Sequence, residues 1–199
     1  KAGGLCVSDE VQTGVGRMGK TFWGFELHNV IPDIVTIGKP LGNGHPIAAV
    51  ACTEEIAQKF ANGMEFFNTF GGNPVSCAIA IEVLREVKRE KLQENALELG
   101  EYLKSELQKL SEEFPIIGDV RGQGLFLGFE LVDKQLHPLA EKTDYVINRM
   151  KYFGILMSSD GPQHNVIKIK PPLTFTIKNA KEVIFYLQTV FGEDFMKQN

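Results

Sequence analysis

"GLCVSDEVQTGVGRMGK", residues 4–20, runs from a short apolar segment through two acids into a glycine-rich loop. A continuous apolar run such as Leu5-Cys6-Val7, bounded by glycine and aspartate, is the pattern of a strand buried on both faces. "DIVTIGK" (33–39) and "PIAAVACT" (46–53) repeat it, and helical patterns follow at "EEIAQKFA" (54–61) and "NPVSCAIAIEVLREVKREK" (73–91). Asn73 and Pro74 suit an N-cap and a first helical turn. Strands alternating with helices predict an α/β layer.

Gly14, Gly16 and Gly19 spell G-x-G-x-x-G, which in a dinucleotide-binding protein cradles a pyrophosphate. That role needs the first glycine tight against the strand end and a helix opening at the third. Here Gly14 lies well beyond Asp9, and Gly24 and Pro32 interrupt any long helix after Gly19. The glycines therefore read as a loop that needs positive φ and close backbone packing. The acids before them are more informative, because open α/β sheets bind ligands at the carboxyl ends of their strands. Asp9 stands at such an end and Lys39 stands at the equivalent place on the next strand, so the two can face one crevice. A lysine entering an apolar strand end is expected to be desolvated and pushed toward the neutral, nucleophilic amine.

From Leu92 the pattern changes: Leu92, Ala96, Leu99, Leu103 and Leu110 keep helical spacing in a polar background, which predicts a long amphipathic helix. Strand patterns follow at 116–122, 125–132, 154–159 and 166–170, with helices near 143–152 and 179–191. The expected organisation is a part of a large α/β domain over 1–90 and a smaller α+β domain over 91–199, with no repeats.

The composition sets bounds on function. In 199 residues, 43% hydrophobic content is enough to bury a core, so a soluble globular protein is expected. With 21 basic and 25 acidic side chains and no basic block, nucleic acid is an unsuitable partner. No apolar stretch approaches the roughly 20 residues of a membrane span. Cys6, Cys52 and Cys77 are widely spaced among apolar or small residues and read as buried free thiols in a reducing compartment, the cytoplasm by default. No metal-ligand spacing is present. The start at Lys1, without an initiator methionine and almost at once in a core strand, suggests a fragment.

Taken together, "SDEVQTGVGRMGKTFW", "PDIVTIGKPLGNGHPIAAV", "FFNTFGGNPVSCAIA", "IIGDVRGQGLFLGFEL" and "IKIKPPL" resemble the class III aminotransferases, fold-type I enzymes that use pyridoxal 5′-phosphate (PLP). The likeness covers the whole chain, as roughly the carboxyl-terminal half of a family member. It implies a large mixed-sheet PLP-binding domain with a smaller α+β domain, acting on a small-molecule amine as a homodimer with a shared active site. By the same resemblance Lys39 forms the Schiff base with PLP, Asp9 faces the pyridine nitrogen, Val11 lies under the ring, and Gln12 lies near the phenolic oxygen. Thr69, after Asn68, would bind the cofactor phosphate of the neighbouring subunit, with the Gly71 and Gly72 amides as further donors. These roles are chemically coherent, since PLP is an electron sink only while its ring nitrogen stays protonated and a carboxylate favours that cation.

The reaction is divided between two readings. Typical members carry an arginine before the Pro-Pro pair to clamp an α-carboxylate, whereas this chain has Lys168-Ile169-Lys170 before Pro171-Pro172. "GNGHP", "SSDGP" and "KIKPP" are most similar to the ethanolamine-phosphate and hydroxylysine-phosphate phospho-lyases, so elimination of phosphate is favoured over transamination with a keto acid. The two lysines also fit a strand with apolar residues inside and solvated lysines outside. Arg121 reads as an ion-pair or turn residue, His45 as a turn residue, and Phe22, Trp23 and Phe25 as packing. A rival from another class is an inactive binding or dimerising module, because family members keep a further phosphate loop and the aromatic stacked on PLP in a segment this chain lacks.

Overall fold

A computed structural model describes residues 3–197; Lys1 and Ala2, which carry the expectation of a fragment start, lie outside the described residues. The chain divides into two compact units, Lys1–Gln93 and Glu94–Asn199.

The first unit is built on a mixed sheet in the order β1 (Val7–Asp9), β2 (Ile34–Ile37), β3 (Ala49–Cys52). β1 and β2 run parallel, with Val7 opposite Ile34 and Asp9 opposite Thr36. A parallel pair requires a long crossover. Here the crossover is the glycine loop and a 3-10 helix, Gly24–His28, in place of an α-helix. β3 returns antiparallel to β2, placing Ala49 opposite Ile37. α1 (Glu54–Phe60) and α2 (Pro74–Arg89) follow. Asn73 Oδ1 accepts from the Val75 and Ser76 amides at 3.0 and 3.1 Å, satisfying two of the helix's orphan donors, and Pro74 needs no donor there.

Two expectations are corrected in this unit. β2 is only half-buried and β3 is exposed throughout, so these strands are not buried on both faces. Cys6, Cys52 and Cys77 are exposed rather than buried. For the strands and for Cys6 and Cys52 the physical reason is the same: the described residues leave the surface around β1 and β3 uncovered, while Cys77 stands on an exposed position of α2. Val50 stays 68% exposed and Val7 56%.

The second unit is α+β. α3 (Leu92–Glu113) buries Ala96, Leu99, Leu103, Leu107 and Leu110 along one stripe. The sheet is antiparallel, in the order β4 (Ile117–Gln123), β5 (Phe126–Leu131), β7 (Val166–Ile169), β6 (Ser158–Asp160). The predicted strand over 154–159 is displaced: Gly154 turns at φ 79° to end the preceding helix, and pairing with β7 begins only at Ser158. α4 (Ala140–Tyr152), α5 (Ile177–Phe191) and the short α6 (Asp194–Lys197) complete the unit. Its core joins Leu103 and Leu107 to Phe129, Leu131, Met150, Ile167, Leu187 and Phe191. α3 meets the β4–β5 turn so closely that a Cβ on Gly100 would lie 2.3 Å from the Gly124 carbonyl oxygen. Among the described residues no helix is long and apolar enough to cross a membrane.

Candidate active site

Register sets the site. Because β1 and β2 are parallel with Asp9 opposite Thr36, both strands end on the same side, and Lys39 follows β2 after a single residue, Gly38. Asp9 is exposed, and its Oδ1 accepts from the Val11 amide at 3.0 Å and from Thr36 Oγ1 at 3.3 Å. Gly38 is buried; a Cβ there would come within 3.3 Å of Val11 Cγ2, so Val11 sits against the backbone that presents Lys39. Lys39 opens a 3-10 turn, Lys39–Leu41, with Pro40 at its start, and is exposed. The expected desolvation of its amine is therefore not what the fold provides: the turn swings the chain out at the strand end instead of continuing it into the core.

Gln12 is exposed on the loop just beyond Val11. The glycine loop has the structural role expected of it. Gly16 and Gly19 take φ of 78° and 70°, and a Cβ on Gly14 would meet the Glu10 carbonyl oxygen at 2.8 Å and the Trp23 ring at 2.9 Å. Phe22 and Trp23 pack edge to face at 5.0 Å between centroids.

Thr69 is in the exposed loop between α1 and α2. The side chain of Asn68 organises that loop, accepting from the Phe70 and Gly71 amides at 3.1 and 2.9 Å. The Gly71 amide is thus engaged within its own turn, which corrects the expectation that it is a free donor for phosphate. His45 is a turn residue, its amide bonded to the Gly42 carbonyl at 2.9 Å and its Nε2 2.8 Å from Ser76 Oγ.

In the second unit Lys168 bonds Asp160 at 2.7 Å, and this holds the Asp160 carboxyl below its ordinary value. Lys170 lies 5.9 Å from the centre of the Phe126 ring. Ile167 and Ile169 point into the core between them, so the alternation expected of a half-buried strand is present. Arg121 pairs with Asp119 and Glu130, as expected of an ion-pair residue. A cleft of about 600 Å³ in this unit is lined by residues that include Leu156, Lys168, Lys170, Pro171 and Phe175.

One residue was missed. Glu10, next to Asp9, is 0% exposed, and four donors meet its carboxylate. Ser8 Oγ and the Phe25 amide bond Oε1, each at 2.9 Å; Thr13 Oγ1 at 2.9 Å and the Gly24 amide at 2.8 Å bond Oε2. Burial alone would raise its pKa, but the bonds from Gly24, Phe25, Thr13 and Ser8 outweigh it and hold the group below its ordinary 4.5. The available signal was alternation: a residue following a strand-end Asp points away from it, toward the loop interior.

The site's chemistry is an amine and a carboxylate at the carboxyl end of a parallel strand pair, the place where an α/β fold holds a small planar ligand. The family profile described as Aminotransferase class-III matches residues 1–191, and the chain belongs to that family. Its members are PLP-dependent enzymes. The chain is 55% identical over 187 residues to the alanine-glyoxylate aminotransferase 2-like protein of Drosophila melanogaster, covering 92% of this chain and 38% of that one. To ethanolamine-phosphate phospho-lyase homolog 1 of Caenorhabditis elegans it is 45% identical over 193 residues, covering 94% and 41%. A solved phospholyase from Arthrobacter in complex with phosphoethanolamine superposes with a TM-score of 0.93 at 42% identity, covering 96% of this chain and 46% of that one. The chain thus spans about two fifths of the curated relatives it matches.

The residues present fit PLP. An exposed carboxylate and an exposed amine share one strand end, and the buried Gly38 leaves the Val11 methyls against the backbone with no side chain between. Among the described residues no group of three or more His, Cys, Asp or Glu is placed to hold a metal ion.

Proposed function

We propose that the full-length protein containing this chain is a PLP enzyme that eliminates phosphate from a phosphorylated primary amine such as ethanolamine phosphate. The carrying observation is the common strand end of Asp9, Val11 and Lys39. Bound PLP supplies an electron sink for the substrate Cα. Asp9 would hold a proton on the ring nitrogen, and Val11 and Gln12 would help to seat the ring. Lys39 Nζ would anchor the cofactor and would act as general base toward the substrate Cα proton, a role worth about 10² to 10⁴ in rate. The Cβ–O bond then breaks toward phosphate, and water completes the balance: ethanolamine phosphate and water give acetaldehyde, ammonia and inorganic phosphate. Thr69 serves the cofactor phosphate of a second subunit, so the active unit is a homodimer.

Elimination is supported over transamination by lysines before Pro171-Pro172 in place of a carboxylate-clamping arginine, and by the phospholyase likeness. An arginine clamps carboxylate through two parallel bonds, whereas lysine offers a point charge. Transamination is the second reading, supported by the likeness to the alanine-glyoxylate aminotransferase 2-like protein. Incubating the full-length protein with ethanolamine phosphate separates them: phosphate release with no keto acid present is the expected result, and keto-acid-dependent amino transfer without phosphate release refutes it. Three exposed free thiols suit a reducing compartment. The cytoplasm is the proposed one, and cell fractionation checks it.

A further inference from the structure

We propose that Glu10 is a positioning residue, whose buried carboxylate sets the backbone at the end of β1 and thereby the placement of Asp9 and Val11 toward the cofactor ring. This rests on the reading above that Asp9, Val11 and Lys39 hold PLP.

The four donors come from three separate segments: Ser8 within β1, Thr13 in the loop, and Gly24 and Phe25 where the 3-10 helix begins. One side chain thus pins the returning crossover to the residue between Asp9 and Val11. The main chain of Glu10 is fixed as well, its amide bonding the Thr36 carbonyl at 2.8 Å and its carbonyl receiving the Gly14 amide at 3.1 Å. The approach is tight, for a Cβ on Gly24 would fall 2.8 Å from Thr13 Cβ and 3.3 Å from Glu10 Oε2. Asp9 Oδ1 in turn bonds the Val11 amide at 3.0 Å, so a shift of residue 10 moves the carboxylate and the Val11 support together. A loop that needed only stability could bury an apolar side chain here without desolvating a charge. A carboxylate with directed bonds holds one geometry, and functional groups must be held within about 0.5 Å.

The test uses the full-length protein and four variants: Glu10→Gln, Thr13→Val, Asp9→Asn as the reference for direction, and Leu103→Ala as a stability control in the other unit. PLP affinity and the pH midpoint of the bound cofactor's visible band are measured beside Tm of the cofactor-free protein. Glu10→Gln is expected to raise the PLP Kd roughly tenfold, equivalent to about 1.4 kcal/mol. Thr13→Val, which deletes one donor and keeps the shape, is expected to raise it by a factor of about 3. Both move the band midpoint in the direction that Asp9→Asn moves it, whereas Leu103→Ala lowers Tm and leaves the midpoint in place. Wild-type affinity and midpoint in folded Glu10→Gln and Thr13→Val overturn the proposal, as does an equal shift from Leu103→Ala. If Glu10→Gln fails to fold, Thr13→Val decides. A wild-type protein that retains no PLP after borohydride treatment instead refutes the cofactor reading on which the proposal stands.

Discussion

A carboxylate out of contact with water persists only when donors meet its oxygens, and Glu10 has two donors on each. Replacing it with glutamine turns one oxygen into a donor facing a backbone amide or hydroxyl, so Glu10→Gln is expected to destabilise the first unit by about 1–3 kcal/mol in chemical unfolding. The pH dependence follows from the same bonds. Because the folded group lies below its ordinary 4.5, its contribution is full above that value and is lost as pH falls through the folded pKa. Unfolding midpoints measured between neutral and acid pH should show a shallower acid-side loss in Glu10→Gln than in the wild type. Asp9 and Lys39 were legible as a pair because each ends an apolar run, a local feature. Alternation signals the direction of Glu10, away from Asp9, but not its burial, which depends on Gly24 and Phe25, whose approach is set by the folded crossover. The exposure of Lys39 was hidden for a related reason, as Pro40 and Gly42 turn the chain only once β2 has ended.

At the scale of elements, α3 was readable because the leucine stripe repeats at helical spacing and needs no distant information. The exposure of β3 was unreadable, because an apolar run reports what a strand can bury and not whether the same chain supplies the cover. Gly100 gives the sharpest prediction for this layer. A methyl group there must displace the Gly124 backbone, which no side-chain rotation relieves, so Gly100→Ala is expected to cost about 1–3 kcal/mol despite alanine's better helix propensity. Leu103→Ala, with its side chain fully buried, should cost about 2–5 kcal/mol. Thermal denaturation of both variants checks these values.

For the whole molecule, the chain belongs to a PLP-dependent family, and the amine at its strand end is Lys39, the one proposed to hold the cofactor. The chain spans about two fifths of its curated relatives, so its chemistry is tested on the full-length protein. There the proposed chemistry requires one covalent bond, between Lys39 Nζ and PLP. The full-length protein is incubated with PLP, reduced with borohydride, digested and mapped by mass spectrometry. A reduced pyridoxyl adduct on Lys39, absent from Lys39→Ala, is the predicted result; an unmodified Lys39 in a protein that binds PLP, or an adduct on another lysine, would contradict it.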